Sequence, residues 1–190
     1  MQEMTAQEKL REQLLIAGIQ EIDLHGVENF SLRKAAAACN VSCATPYHYF
    51  KSKKEFVLEI LRYINGHWAM IEREVEKAYP EDIPHQIAQI CVAYIRFLNG
   101  NPNFRSIILQ SGTHMDPVQL GEKAESLNRL ERRIVSYCSS RGLSEAQAAE
   151  RAFLVRSVVY GAAFMLDSGI AAEGEKTFAT VRRLVLEALM

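Results

Sequence analysis

Residues 30–54, FSLRKAAAACNVSCATPYHYFKSKK, read as two short helices joined by a tight turn and followed by a basic segment. Ser31 is placed to cap one helix running through Cys39, and Ser42 to cap a second from Cys43 to about Phe50. A short hydroxyl side chain accepts from the backbone N–H groups that a helix start leaves open. Between the two lies Asn40-Val41-Ser42. Asparagine tolerates the left-handed backbone that a sharp break between helices requires, and Val41 supplies an apolar plug beneath the turn. Two helices so arranged are the layout of a helix-turn-helix, which sets its second helix in the major groove of DNA.

Charge points the same way. Arg33, Lys34, Lys51, Lys53 and Lys54 are cationic, and no acid occurs between Glu28 and Glu55. The net charge of -1 for the whole chain would argue against a nucleic-acid partner. A local basic block in a nearly neutral protein still gives a directed electrostatic footprint. Tyr47, His48 and Tyr49 interleave with these cations, and their polar tips are suited to phosphate oxygens.

Over roughly the first sixty residues the chain resembles the TetR family of bacterial transcriptional regulators. The matching positions are Arg11, Leu14-Leu15, Ala17, Gly26, Phe30-Ser31-Leu32-Arg33, Ala36, Val41-Ser42, Thr45, Tyr47, Phe50, Ser52-Lys53 and Glu55-Phe56. The chain departs from the family pattern at several places. Asn40 stands for the usual turn glycine, Gly18 for an alanine, Glu21 for an apolar residue, Pro46 for an aliphatic one and Tyr49 for a frequent histidine. Gly18 is expected to cost the first helix stability, by about 1 kcal/mol relative to alanine. Pro46 is expected to shorten or distort the first turn of the recognition helix.

The resemblance implies an all-α homodimer: an N-terminal three-helix head, 1–50, that binds a palindromic double-stranded operator, and a larger ligand-binding and dimerisation body, 51–190. Ser42 and Cys43 would open the recognition segment. Ala44 and Thr45 are suited to thymine methyls, and His48 to a base edge or a phosphate. Tyr47, Tyr49 and Lys53 would hold the DNA backbone, joined by Ser31 and Arg33. No Arg, Asn or Gln lies in the recognition helix for bidentate base contacts, so specificity is expected to rest on methyl contacts, water and DNA shape.

Beyond Phe50 a helical period continues almost to the end. Val57, Ile60, Leu61, Ile64, Trp68, Ile71 and Val75 mark a long helix over 52–79. Further apolar stripes predict helices near 87–98, 104–109, 116–140, 144–168 and 175–189, about nine in all, with a Ser-Gly-Thr-His loop at 111–114. On the last two, the apolar positions Ala152, Val155, Val159, Ala163, Phe178, Val181 and Val185 either close the monomer core or form a dimer seam. The resemblance favours the seam. Trp68, Tyr94, Phe104, Ile108, Leu127, Tyr160 and Phe164 are large side chains that could enclose an apolar or aromatic effector or pack the core. His67 and His114 could add polar contacts.

With 48% hydrophobic and 24% charged residues the composition is that of a globular protein, and no apolar run is long enough to span a bilayer. The polar opening MQEMTAQEKL is unlike a signal peptide, and a cytoplasmic location with no membrane partner is expected. Cys39, Cys43, Cys91 and Cys138 show no paired spacing and are expected to be reduced thiols. An enzyme built from Cys91, Cys138, His67, His85 and His114 is the rival class. No HExxH, GxSxG, phosphate loop or close metal-ligand pair occurs, so neither catalytic residues, metal nor cofactor is expected. A DNA-binding protein without an effector is a third reading.

Overall fold

The computed structural model describes residues 5–109 and 112–190. The opening MQEM, Gln110, and Ser111 of the Ser-Gly-Thr-His loop lie outside the described residues. Among the described residues nine helices follow one another: α1 Ala6–Asn29, α2 Leu32–Ala38, α3 Pro46–Tyr49, α4 Lys53–Ala78, α5 Ile83–Gly100, α6 Pro102–Leu109, α7 Pro117–Ser140, α8 Glu145–Asp167 and α9 Glu175–Leu189. Among the described residues there is no strand. The fold is all-α, and among the described residues no helix is long and apolar enough to cross a membrane.

Sequence accounts for the boundaries. Thr5 and Glu8 form a reciprocal capping box at the start of α1, and Ser144 and Gln147 do the same for α8. Asp82 caps α5 by accepting from the backbone N–H of His85. α7 stops where Gly142 takes a φ of 79°. Near its end α1 is interrupted at Gly26, whose φ of 75° and ψ of 163° lie in a region open only to glycine.

The chain forms two compact units: residues through Asn65 with Pro102–Lys123, and Gly66–Asn101 with Ala124–Met190. Compactness therefore divides the chain elsewhere than at residue 50. In the first unit α1 packs on α2, α3 and α6. Its core holds Leu14, Leu15, Ile19 and Ile22 of α1, Ala35 and Ala36 of α2, and Phe56 and Ile60 of α4. Phe56 stacks on Phe30 at 5.8 Å and meets Phe50 edge-on at 4.7 Å. Burial of each such ring stabilises the fold by roughly 1.5–3 kcal/mol. Gly18 borders Phe56 directly, so the glycine expected to weaken α1 instead makes room for this ring.

In the second unit α5 packs on α8 and α9. Trp68 lies edge-on to Tyr94 at 4.9 Å and 5.7 Å from Phe97, all three buried. The stripe predicted for α4 turns in this half. Ile71 is 39% exposed, whereas Glu72 is only 4% exposed, its carboxylate facing Arg129 at 3.0 Å. A buried carboxylate is tolerated only when paired, and α7 supplies the cation.

Candidate nucleic-acid interface

α2 begins where Ser31 accepts from the backbone N–H of Lys34 and ends at Cys39. Asn40 then adopts a φ of 55°, the left-handed turn residue that the sequence predicts. Val41 donates its N–H to Ala36 O at 3.1 Å and is half-buried, closing the break.

The second helix differs from expectation. It is the four residues Pro46–Tyr49, where 43–50 was expected. Pro46 lacks the N–H that would bond to the Ser42 carbonyl, and that carbonyl instead accepts from Thr45 N–H at 3.0 Å. Tyr47 and His48 likewise bond three residues back, so the segment is wound tightly in the 3₁₀ manner. Ser42 does not cap this helix; its hydroxyl pairs with that of Thr45 at 3.0 Å. The proline, buried at the first helical position, sets both the length and the start.

The predicted DNA-facing residues are gathered here in different states. Arg33, Ser42, Cys43, Ala44, Tyr47 and His48 are exposed, Tyr47 at 58%. Ser31, Thr45 and Tyr49 are half-buried. Ser31 is spent on its cap, and the Tyr49 ring leans on Phe50 at 6.2 Å. Lys53 is engaged within the protein: Nζ donates to the Glu28 carbonyl at 2.7 Å and lies 4.4 Å from the centre of the Phe30 ring. It ties the start of α4 to the end of α1. Lys34, which the sequence reading placed only in the charge block, is exposed with Nζ 3.1 Å from His25 Nε2.

Behind this surface the head is braced. Arg11 pairs with Glu59 and sits 5.4 Å from the Phe50 ring, so the residue following the recognition helix is fixed by α1. Ser52 Oγ accepts from Glu55 N–H at 3.1 Å, and Glu55 Oε2 accepts from Lys51 N–H at 2.6 Å. Glu28 also pairs with His114 of the loop before α7. What faces outward is thus a short rigid turn bearing small side chains, one prominent tyrosine and a histidine.

Residues 14–60 match the sequence pattern of the bacterial regulatory proteins of the tetR family. The head of this chain is therefore of the TetR type. The match is that of a DNA-binding head and is confined to it. Over nearly the whole length the fold, and the fold alone, is shared with solved structures, among them the following. A TetR family transcription regulator from Marinobacter aquaeolei VT8 superposes with a TM-score of 0.72 at 17% identity, covering 96% of each chain. The fatty acid degradation regulator FadR from Bacillus halodurans gives 0.72 at 15% identity, covering 92% of this chain and 97% of that one. FadR from Bacillus subtilis in complex with stearoyl-CoA gives 0.71 at 16% identity, covering 94% and 96%. No curated protein sequence is significantly similar to the chain.

The expected effector residues fall in both compact units. Trp68, Tyr94 and Leu127 are buried in the second unit. Phe104 and Ile108 belong to the first, where Phe104 meets Tyr63 edge-on at 6.3 Å. Tyr160 and Phe164 are on α8, 39% and 60% exposed, and the Tyr160 hydroxyl acts electrostatically on that of the buried Tyr94.

The residues of the expected dimer seam lie inside the protomer. Ala152, Val155, Val159, Ala163, Phe178, Val181 and Val185 are all buried inside the second unit, at most 4% exposed. They are the faces of α8 and α9 that close on α5. The opposite face of α8 carries Phe153, Leu154, Tyr160, Phe164 and Met165, all exposed, with Leu184 of α9 beside them. α8 is apolar on two faces, and periodicity could not say which one met solvent. An open groove of about 540 Å³ runs between α8 and α9, with Gly161 and Ala162 in its lining.

Proposed function

We propose that the chain is a homodimeric repressor that leaves a palindromic operator when a small-molecule effector binds. The observation that carries this reading is the helix-turn-helix itself, with its left-handed Asn40 and its exposed turn from Ser42 to His48. The functional division is a head of residues 1–50 for DNA and a body of 51–190 for dimerisation and sensing. Ser31, Arg33, Ser42, Cys43, Ala44, Thr45, Tyr47, His48, Tyr49 and Lys53 form the DNA-facing set. Tyr47, His48 and Arg33, exposed, are the principal contacts. Lys53 contributes its charge while anchored to the Glu28 carbonyl.

Dimerisation is assigned to the exposed face of α8 with Leu184, in place of the buried stripe. An apolar row of this extent on paired helices is suited to a two-fold partner that presents the same row. Two heads so joined would address major grooves about 34 Å apart. An apolar effector is supported by the aromatic core around Trp68 and by the stearoyl-CoA held by the Bacillus subtilis protein of the same fold. α4 is one continuous helix that starts at the head and ends in the second unit, which suits it to transmit effector binding. Effector and operator affinities are then coupled reciprocally.

The test is selection of bound sequences from a random DNA library by the purified protein. Recovery of an inverted repeat with half-sites one helical turn apart is the expected result. Enrichment of no sequence, or of an unpaired half-site, would overturn the dimeric operator reading.

A further inference from the structure

On α7, residues 129, 132, 133 and 136 follow at helical spacing and share one face. They border an open groove of about 570 Å³ lined by Arg129, Arg132, Arg133, Ser136, Tyr137, Ser140 and, from α5, Ile83. Each arginine has a carboxylate partner: Arg129 with Glu72, Arg132 with Glu125, Arg133 with Glu76. None of these carboxylates lines the groove. A guanidinium carries five N–H donors in a fixed fork, and these ion pairs occupy only part of that set. The groove is therefore walled by three cations and by hydroxyl groups, with no acid among its lining residues.

Two of the three cations are pre-positioned. Arg133 Nη1 donates to Gln86 Oε1 at 2.6 Å, and Gln86 is itself held by the carbonyls of Glu76 and Tyr79. Arg129 is held at 3.0 Å by the buried Glu72, and its Nε is buried without an acceptor among the described residues. Arg132 differs, since its side chain is 63% exposed and its pair with Glu125 is a surface contact. Such pairs contribute little and exchange readily for a better anion.

We infer that this groove binds a phosphate-type oxyanion, as free phosphate or as the phosphate group of a larger molecule. A single carboxylate presents two oxygens and would be satisfied by one arginine fork. Three guanidiniums with adjacent hydroxyls match a tetrahedral dianion offering three or more oxygens. The site is separate from the DNA-facing turn, and its existence does not depend on the operator and effector reading.

Trp68, the only tryptophan, lies one helical turn before Glu72 on α4. Its fluorescence therefore reports on the Glu72–Arg129 pair. Inorganic pyrophosphate and ADP, both free of magnesium, are titrated into the full chain against sodium chloride of equal ionic strength, followed by calorimetry and by Trp68 emission. Saturable binding is expected for at least one of them, weakened about tenfold by Arg132→Ala and lowered again by Ser136→Ala in the same chain. Arg183→Ala, on α9, should bind as the parent does. Tighter binding of pyrophosphate identifies a free-phosphate site, and tighter binding of ADP a site for a phosphorylated molecule. No saturable binding of either, or equal weakening by Arg132→Ala and Arg183→Ala, would overturn the proposal.

Discussion

Phe56 fills the space beside Gly18 so closely that a β-carbon there would stand 2.2 Å from Cε1 of the ring. The same ring meets Phe50 at 4.7 Å, so the position of the residue that ends the recognition segment depends on the absence of a methyl group on α1.

Helix propensity alone says that Gly18→Ala should stabilise α1 by up to about 1 kcal/mol. The aromatic contact reverses the sign, because overpacking a filled core costs roughly 1–3 kcal/mol. We expect a net loss of stability, read as a lower urea midpoint. A raised midpoint would show that the Phe56 ring moves aside at no cost.

At the DNA-facing turn, Tyr47→Ala should weaken operator binding about tenfold while leaving the unfolding midpoint unchanged, since the side chain is 58% exposed. Lys53→Ala should act differently. It removes both a charge and the anchor to the Glu28 carbonyl, so thermal stability falls together with affinity for operator and random DNA. The slope of log affinity against log salt should shrink by about one unit. An unchanged slope would mean that Lys53 serves the fold alone.

The two faces of α8 give opposite predictions. Phe164→Glu, on the exposed row, should yield a folded monomer by light scattering after size exclusion. Val155→Ala, at a fully buried position, should leave the oligomeric state unchanged and cost roughly 1–3 kcal/mol of stability. A dimer that survives Phe164→Glu would move the seam elsewhere.

Alkaline pH should destabilise the fold. Burial pushes the Cys91 thiol from an ordinary value of 9.0 up to about 12. The Tyr63 hydroxyl, raised by burial and by donating to Glu12, moves from 10.0 to about 12. Between these values the unfolded chain releases protons that the folded chain retains. Stability is therefore full below pH 9 and falls as pH rises toward 12. Cys91 alone should contribute a loss of roughly 1–2 kcal/mol between pH 8 and pH 10.5, measured by urea unfolding at each pH. The same burial makes Cys91 unreactive toward thiol reagents in the native protein, whereas exposed Cys43 reacts at once.

Local signals carried most of the fold. Ser31, Asn40, Asp82, Ser144 and Gly142 act through their immediate neighbours, and the helix ends they imply lie within a few residues of those observed. What escaped depends on partners distant in sequence. Glu72 is buried because Arg129 pairs with it, and Gly18, expected to weaken α1, leaves room for Phe56. Val159 and Tyr160 are adjacent on α8, about 100° apart around the helix, yet one is buried and the other exposed, so periodicity alone did not say which face closes the core. Spacing places Arg129, Arg132 and Arg133 on one face of α7, but that this face borders a groove depends on Ile83 of α5, distant in sequence. In the head, Pro46 announced a distorted turn, but how few residues would remain helical was fixed by the 3₁₀ bonds around it.

That brevity limits how much sequence information one protomer can extract. Four residues of helix advance about 6–8 Å, close to the rise of two base pairs. Each half-site should therefore contain only two or three sharply constrained bases, flanked by positions where composition matters more than identity. A regulator so built tolerates drift in its operators, and the number of sites it occupies in a genome should respond steeply to its concentration.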